Sequence, residues 1–165
     1  MRTKIARDMK PLSVFRVLFL LLFLLGFFGC GGDSPPKLSR AGFKAEFAKH
    51  EIPAEMKAGQ TVSANVTIKN DSSETWPSKP DAKGRNAVYL SYHWLDQKRQ
   101  IVVYEGLRTP LPRDLNPGEA VTLKAAIRAP EKTGDYLLHL TLVQEWVAWF
   151  SEMDGGYILI PVSVK

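Results

Sequence analysis

The sequence predicts an all-β domain of two packed antiparallel sheets behind an apolar leader. Three observations predict it. Residues 61–69 alternate strictly, with Val62, Ala64, Val66 and Ile68 on one face and Thr61, Ser63, Asn65, Thr67 and Lys69 on the other. A period of two marks a half-buried strand. Beyond residue 32 no stretch carries helical periodicity of useful length. Turn signals recur about every ten residues between some seven short strands, the pattern of a two-sheet sandwich.

Taken in order, residues 43–47 align Phe43, Ala45 and Phe47. Residues 50–56 contain Pro53, which has no N–H for a ladder, so they form an edge or a crossing segment. Residues 57–60 turn into the strand 61–69. A long polar connection follows at 70–86, holding Trp76, Pro77, Pro80 and Gly84. Residues 87–95 place Val88, Leu90, Tyr92 and Trp94 on one face, and 96–99 turn into a strand at 100–105. Thr109-Pro110-Leu111-Pro112 excludes a central strand. Asn116-Pro117-Gly118-Glu119 is a turn. Residues 120–129 gather Val121, Leu123, Ala125 and Ile127 before Pro130 stops the ladder. Residues 136–143 and 157–164 are the last strands, joined by 144–156.

The leader decides the address. Residues 17–32 read VLFLLLFLLGFFGCGG, after Arg2, Lys4, Arg7, Lys10 and Arg16 against the single acid Asp8. A basic region, a short apolar run and a small residue describe a secretory signal. The run is too short for a spanning helix, which needs roughly 20 residues. Gly29 precedes Cys30, the only cysteine. This resembles the lipobox of bacterial lipoproteins, with Phe27 where that family usually has Leu. The resemblance implies a diacylglycerol on Cys30, cleavage before it, and a mature chain held by lipid. Gly31, where an Asp would retain such a protein at the inner membrane, leans towards the outer membrane facing the periplasm. The expected organisation is a signal peptide at 1–29, a lipidated Cys and flexible tether at 30–41, and a sandwich at 42–165. Extended, the nine residues 31–39 reach roughly 30 Å.

Charge narrows the function. The whole chain is +5, but five of its 22 basic residues and one of its 17 acidic residues lie in the leader, leaving the mature part at +1. Nucleic-acid binding loses its support. With the one thiol acylated there is no disulfide, no metal thiolate and no cysteine nucleophile. No Gly-x-Ser-x-Gly elbow, phosphate loop or metalloprotease helix is present. Neither a cofactor nor a metal is called for.

From residue 62 to 164 the order of features resembles a bacterial immunoglobulin-like module of the type attached to glycosyltransferases and other envelope proteins. The features are NDSSETWP at 70–77, YLSYHWLD at 89–96, RTPLP at 108–112, NPGE at 116–119, Ala129-Pro130, Gly134-Asp135-Tyr136 and LVQEWVAWF at 142–150. The order is similar, more loosely, to the four-tryptophan sandwich of an autophagy receptor. The resemblance implies a non-catalytic immunoglobulin-like sandwich and no catalytic residues to carry over. In that architecture Tyr136 falls at the tyrosine corner and Trp94 at the buried Trp of the third strand.

Two constellations bear on chemistry. His93 and His139 sit on the odd-numbered faces of neighbouring strands, opposite the core set, where Glu105 or Glu145 can approach. Two imidazoles fall short of the three or four ligands of a metal site, so both are expected to be surface histidines, and His50 has no evident partner. Glu145, Glu152 and Asp154 stand beside Trp146, Trp149 and Phe150, carboxylates among aromatics as in sugar-cleaving sites, though a solvated loop beside buried aromatics is commoner. The connections 70–86 and 144–156 are expected at one end of the sandwich. They bring Trp76, Trp146, Trp149 and Phe150 together with Lys79, Lys83 and Arg85. The candidate binding residues are Trp76, Arg85, Trp146, Trp149 and Phe150. Trp76, Trp149 and Phe150 also suit closure of the core end, while Trp146 is a free contact. The expected function is a lipid-anchored, non-catalytic envelope module that binds a partner protein or a glycan through these aromatic loops. The alternative is a scaffolding subunit that pairs through sheet edges, at 43–48 or 100–105.

Overall fold

The computed structural model describes residues 34–153 and 155–165; the leader and Cys30 lie outside them. Ten strands follow in order: β1 (Ala45–His50), β2 (Glu55–Met56), β3 (Thr61–Asn70), β4 (Val88–Leu95), β5 (Ile101–Val103), β6 (Thr109–Pro110), β7 (Ala120–Arg128), β8 (Gly134–Gln144), β9 (Ala148–Trp149) and β10 (Tyr157–Val164). The smaller sheet runs β1-β3-β7. The larger runs β2-β10-β8-β4-β5, with β6 on β4 and β9 on β8. Only β2 with β10 is parallel among the described pairings. The helical content of the described residues is two short 3-10 turns, Arg40–Gly42 and Phe150–Met153.

The period-two strands face each other as their alternation dictates. Ala64, Val66, Ile68, Leu123, Ala125 and Ile127 of the smaller sheet are buried against Leu90, Tyr92, Trp94, Leu138, Leu140 and Leu142 of the larger. Each fully buried side chain of this size contributes roughly 1.5–3 kcal/mol. With no cysteine in the described residues, hydrogen bonds from core aromatics tie the sheets. Trp94 Nε1 donates to the Arg128 carbonyl at 2.8 Å, and Arg128 N donates to the Tyr92 hydroxyl at 2.8 Å. Tyr136 Oη donates to the Lys132 carbonyl four residues upstream at 3.0 Å, and its ring meets Trp94 edge-on. The expected tyrosine corner and third-strand Trp are both in place, and the fold is an immunoglobulin-like sandwich.

Three expectations are corrected. The first strand starts at Ala45 rather than at residue 43, because Phe43 turns inward against Phe150. The strand expected at 100–105 pairs only over Ile101–Val103. The tether expected as far as residue 41 is not free over its second half. Asn86 Nδ2 donates to the Pro35 carbonyl and Gln144 Nε2 to the Pro36 carbonyl, both at 2.9 Å, while Leu38 N donates to Gln144 Oε1 at 3.0 Å. Leu38 is buried in the core cluster. The domain therefore begins before residue 42.

Candidate functional site

The outer face of the larger sheet holds the site. Strand β4 is buried on both faces, which the alternation of its sequence does not announce. The cover is the segment 104–108, which folds back across it: Gly106 N donates to the Tyr92 carbonyl at 3.0 Å and Ser91 Oγ to the Gly106 carbonyl at 3.3 Å. A Cβ at position 106 would stand 2.4 Å from the Tyr92 carbonyl oxygen, so only glycine permits this approach.

Beneath that cover lies an aromatic layer. His93 and His139 are directly paired across β4 and β8, ring centroids 5.4 Å apart, so the expected adjacency holds. The expectation of surface histidines does not. His93 is 3% exposed, stacked on Tyr104 at 4.8 Å and tilted against Trp149 at 4.2 Å. Its Nδ1 is hydrogen-bonded to the Tyr104 carbonyl. His139 is half-buried beside Tyr157, and its Nε2 has no hydrogen-bond partner. Burial lowers the pKa of His93. Burial first, and the neighbouring His93 second, push His139 down to about 4. Both rings are neutral at pH 7. Among the described residues no group of three or more His, Cys, Asp or Glu comes together to hold a metal.

Arg108 closes the layer and opens a groove. Its Nε donates to Glu145 Oε1 and its Nη2 to Glu105 Oε2, both at 2.6 Å, and its Nη1 to Ser91 Oγ and the Gly106 carbonyl. The guanidinium carbon stands 4.7 Å over the Trp149 ring. Around it lies a groove of about 390 Å³ walled by Glu105, Arg108, Glu145, Trp146, Trp149 and Glu152. Tyr104 Oη donates to Glu152 at 3.1 Å. Trp146 is the tip of the turn after β8, where Val147 N donates to the Gln144 carbonyl. It is 78% exposed, on a backbone at φ 61°. A non-glycine residue in that region is uncommon, and such strain is found at functional positions.

The structure brings two of the five candidate contact residues to the groove, Trp146 and Trp149, but only Trp146 is exposed; Trp149 is 6% exposed, its ring covered by Arg108 and packed on His93. The structure takes Trp76 and Phe150 out of contention as surface contacts. Both are 0% exposed, packed edge-on at 5.1 Å, and Trp76 Nε1 donates to the Gly42 carbonyl. They close the core end, because a connection as long as 70–86 needs a large apolar side chain to pin it. Arg85 does not line the groove. Its Nε and Nη2 hold Asp81 at 2.8 and 2.7 Å, bonds that keep the Asp81 carboxyl down to about 2. Glu145 and Glu152 are engaged as described, and Asp154 lies outside the described residues. Missed from sequence were Arg108 and Tyr104; Arg108 opens the RTPLP motif, and that was the available signal. Among the described residues the large hydrophobics that stay exposed, Ile101, Val102, Tyr104, Leu107, Trp146 and Tyr157, all belong to the larger sheet or its connections.

The fold is an immunoglobulin-like β-sandwich with this groove at its larger sheet. No protein-family model matches the chain, and no curated protein does. Solved structures similar to it include the C-terminal domain of wzt, at 10% identity over 73% of each chain with a TM-score of 0.45. The ASH/PapD-like domain 7 of human CEP192 is similar at 13% identity over 79% of this chain and 89% of that one, TM-score 0.31. A family 123 glycoside hydrolase from Clostridium perfringens is similar at 11% identity over 67% of this chain and 21% of that one, TM-score 0.27.

Proposed function

We propose that this chain is a lipid-anchored, non-catalytic binding module of the cell envelope, held through Cys30 at the outer membrane facing the periplasm. It recognises an envelope partner protein or a glycan at the groove of Trp146 and Trp149. The observation that carries the reading is Trp146. A large amphipathic ring stands in solvent on an uncommon backbone conformation, beside an Arg and three carboxylates. An exposed Trp beside a polar rim has the composition of a binding hot spot. Non-catalytic is supported by how the ionisable groups are occupied: Glu105 and Glu145 are tied to Arg108, and among the described residues no carboxylate is hydrogen-bonded to His93 or His139.

A second reading has its own support. Ile101, Val102, Tyr104 and Leu107 lie exposed along edge strand β5 and the segment after it, an apolar edge fit for strand addition in a larger assembly. Crosslinked capture from the native envelope, with the wild type beside Trp146→Ala and Val102→Lys, separates the two. Loss of a partner with the first substitution alone supports the groove. Loss with the second alone supports the edge. The same partners from all three proteins would remove both.

A further inference from the structure

The outer layer of the larger sheet holds two imidazoles in contact with no place for a proton. His93 and His139 stand directly opposite each other on β4 and β8, with ring centroids 5.4 Å apart. His93 Nδ1 donates to the Tyr104 carbonyl, since a carbonyl only accepts. His139 Nε2 is buried and has no hydrogen-bond partner. A charged imidazole donates from both nitrogens. A proton on His139 therefore leaves Nε2 as a buried cationic donor without an acceptor, and a charge on either ring opposes a second on the other.

The groups that face the pair come from several elements. Strand β10 brings Tyr157, whose ring lies 4.4 Å from that of His139. The segment 104–108 brings Tyr104, stacked on His93, with Glu105 and Arg108. Strand β9 brings Trp149, and the 3-10 turn after it brings Glu152. Burial opposes a charge on His93 most; the Tyr104 carbonyl, Glu105 and Glu152 favour it, and Arg108 opposes it. On His139 burial and then His93 oppose it. The two carboxylates are already engaged, Glu105 by Arg108 and Glu152 by the Tyr104 hydroxyl.

The same groups wall the groove, which is lined by Glu105, Arg108, Trp149 and Glu152. The strands beneath are fixed, because β4 and β8 pair from Val88 to Leu95 and their inner faces belong to the core. The segment 104–108 is the movable part. It is seated by the Gly106 amide and carbonyl, by Arg108 and by its contacts to His93.

We propose that the His93–His139 pair is an acid-operated latch on the Trp146–Trp149 groove: a proton on the pair releases the segment 104–108, admits water to the rings and dismantles the wall made by Glu105 and Arg108. Its consequence for binding rests on the groove reading above, whereas the opening itself does not. At pH 7 both rings are neutral and the latch is closed. His139 titrates at about 4 in the closed layer and near 6.5 in water. The open form thus binds the proton more tightly, and opening becomes easier as pH falls through that window. The full shift makes opening some fiftyfold easier at pH 4.5 than at pH 7, and the partial exposure of His139 brings the expected change to about tenfold.

The test is amide exchange read residue by residue by NMR on the full-length protein in detergent micelles, at pH 7 and pH 4.5, with the chemical pH dependence of exchange divided out. The probe is the Gly106 amide, which bonds to the Tyr92 carbonyl, and the amides bonded between β3 and β7 are the reference. Gly106 protection is expected to fall about tenfold more than the reference, and His139→Phe should abolish most of that excess. Equal falls at Gly106 and in the reference would overturn the proposal. Ring-nitrogen shifts of the wild type decide independently of whether His139→Phe folds: ordinary pKa values near 6.5 for both rings would overturn it as well. Partner capture is a separate arm. Opening at Gly106 with no partner lost in Trp146→Ala removes the binding reading and leaves the latch. A partner held equally at both pH values while Gly106 opens removes the control of binding.

Discussion

Gln144 binds the backbone around Leu38 from 106 residues away. Its Oε1 accepts from Leu38 N at 3.0 Å, while its Nε2 donates to the carbonyls of Pro36 and Asn86 at 2.9 and 2.7 Å. One fully buried amide thus joins the incoming chain, the loop before β4 and the end of β8. Gln144→Ala strands these groups, and should destabilise the domain by about 1–3 kcal/mol. Thermal unfolding measures the loss. Limited proteolysis at 34–40 should accelerate in the same variant, and unchanged cleavage there would show that other contacts hold the segment.

Arg108 is the corresponding node on the outer face. Arg108→Ala leaves Glu145, half-buried, without its counter-ion and removes the cation from the Trp149 ring. A loss of about 2 kcal/mol is expected for an ion pair of this partial burial, read as a lower urea midpoint at unchanged slope. Arg108→Lys should recover only part of it, since an ammonium has three N–H donors on one point for the four acceptors that the planar guanidinium reaches, Glu145, Glu105, Ser91 Oγ and the Gly106 carbonyl.

The buried imidazoles make stability depend on pH. The folded-state pKa of His139, about 4, lies below its ordinary value near 6.5. The unfolded chain therefore binds the proton more readily. The contribution is whole above pH about 6.5 and is lost as pH falls towards 4. His93 shifts in the same direction. Unfolding free energy should drop by roughly 1–3 kcal/mol across that window, solvent screening at half-buried His139 setting the lower figure. His139→Phe should flatten the slope; an unaltered slope would assign it to other groups.

Gly106 is the condition for the whole layer. Gly106→Ala forces the 104–108 segment off the Tyr92 carbonyl, and should cost about 2–4 kcal/mol. The fluorescence of Trp149 is expected to shift to the red as the cover lifts. A stability within experimental error of the wild type would mean that the segment is not seated as described.

The strands that form the core were legible because each carries its own period: residues 61–69, 87–95 and 120–129 bury the side chains that their alternation selects. Tyr136 and Trp94 were legible because a Gly-Asp-Tyr start and a mid-chain aromatic each have one place in this architecture. The rest depends on contacts between segments far apart. Nothing local to His93 says that residues 104–108 will cover it. Nothing in a Gly- and Pro-rich tether says that Asn86 and Gln144 will collect its carbonyls. The candidate site was legible in part. Trp76 and Phe150 suited closure of the core end and Trp146 suited contact, and packing places them so, whereas nothing local to Arg85 says that Asp81 will hold it away from the groove.

The most direct measurement places a photoreactive phenylalanine derivative at position 146 of the lipidated protein in its own envelope, with the same group at position 132 at the opposite end as the reference. The account predicts one discrete adduct from position 146 and none from position 132. No adduct from 146, or the same adducts from both positions, would contradict the claim that the protein works by binding through this groove.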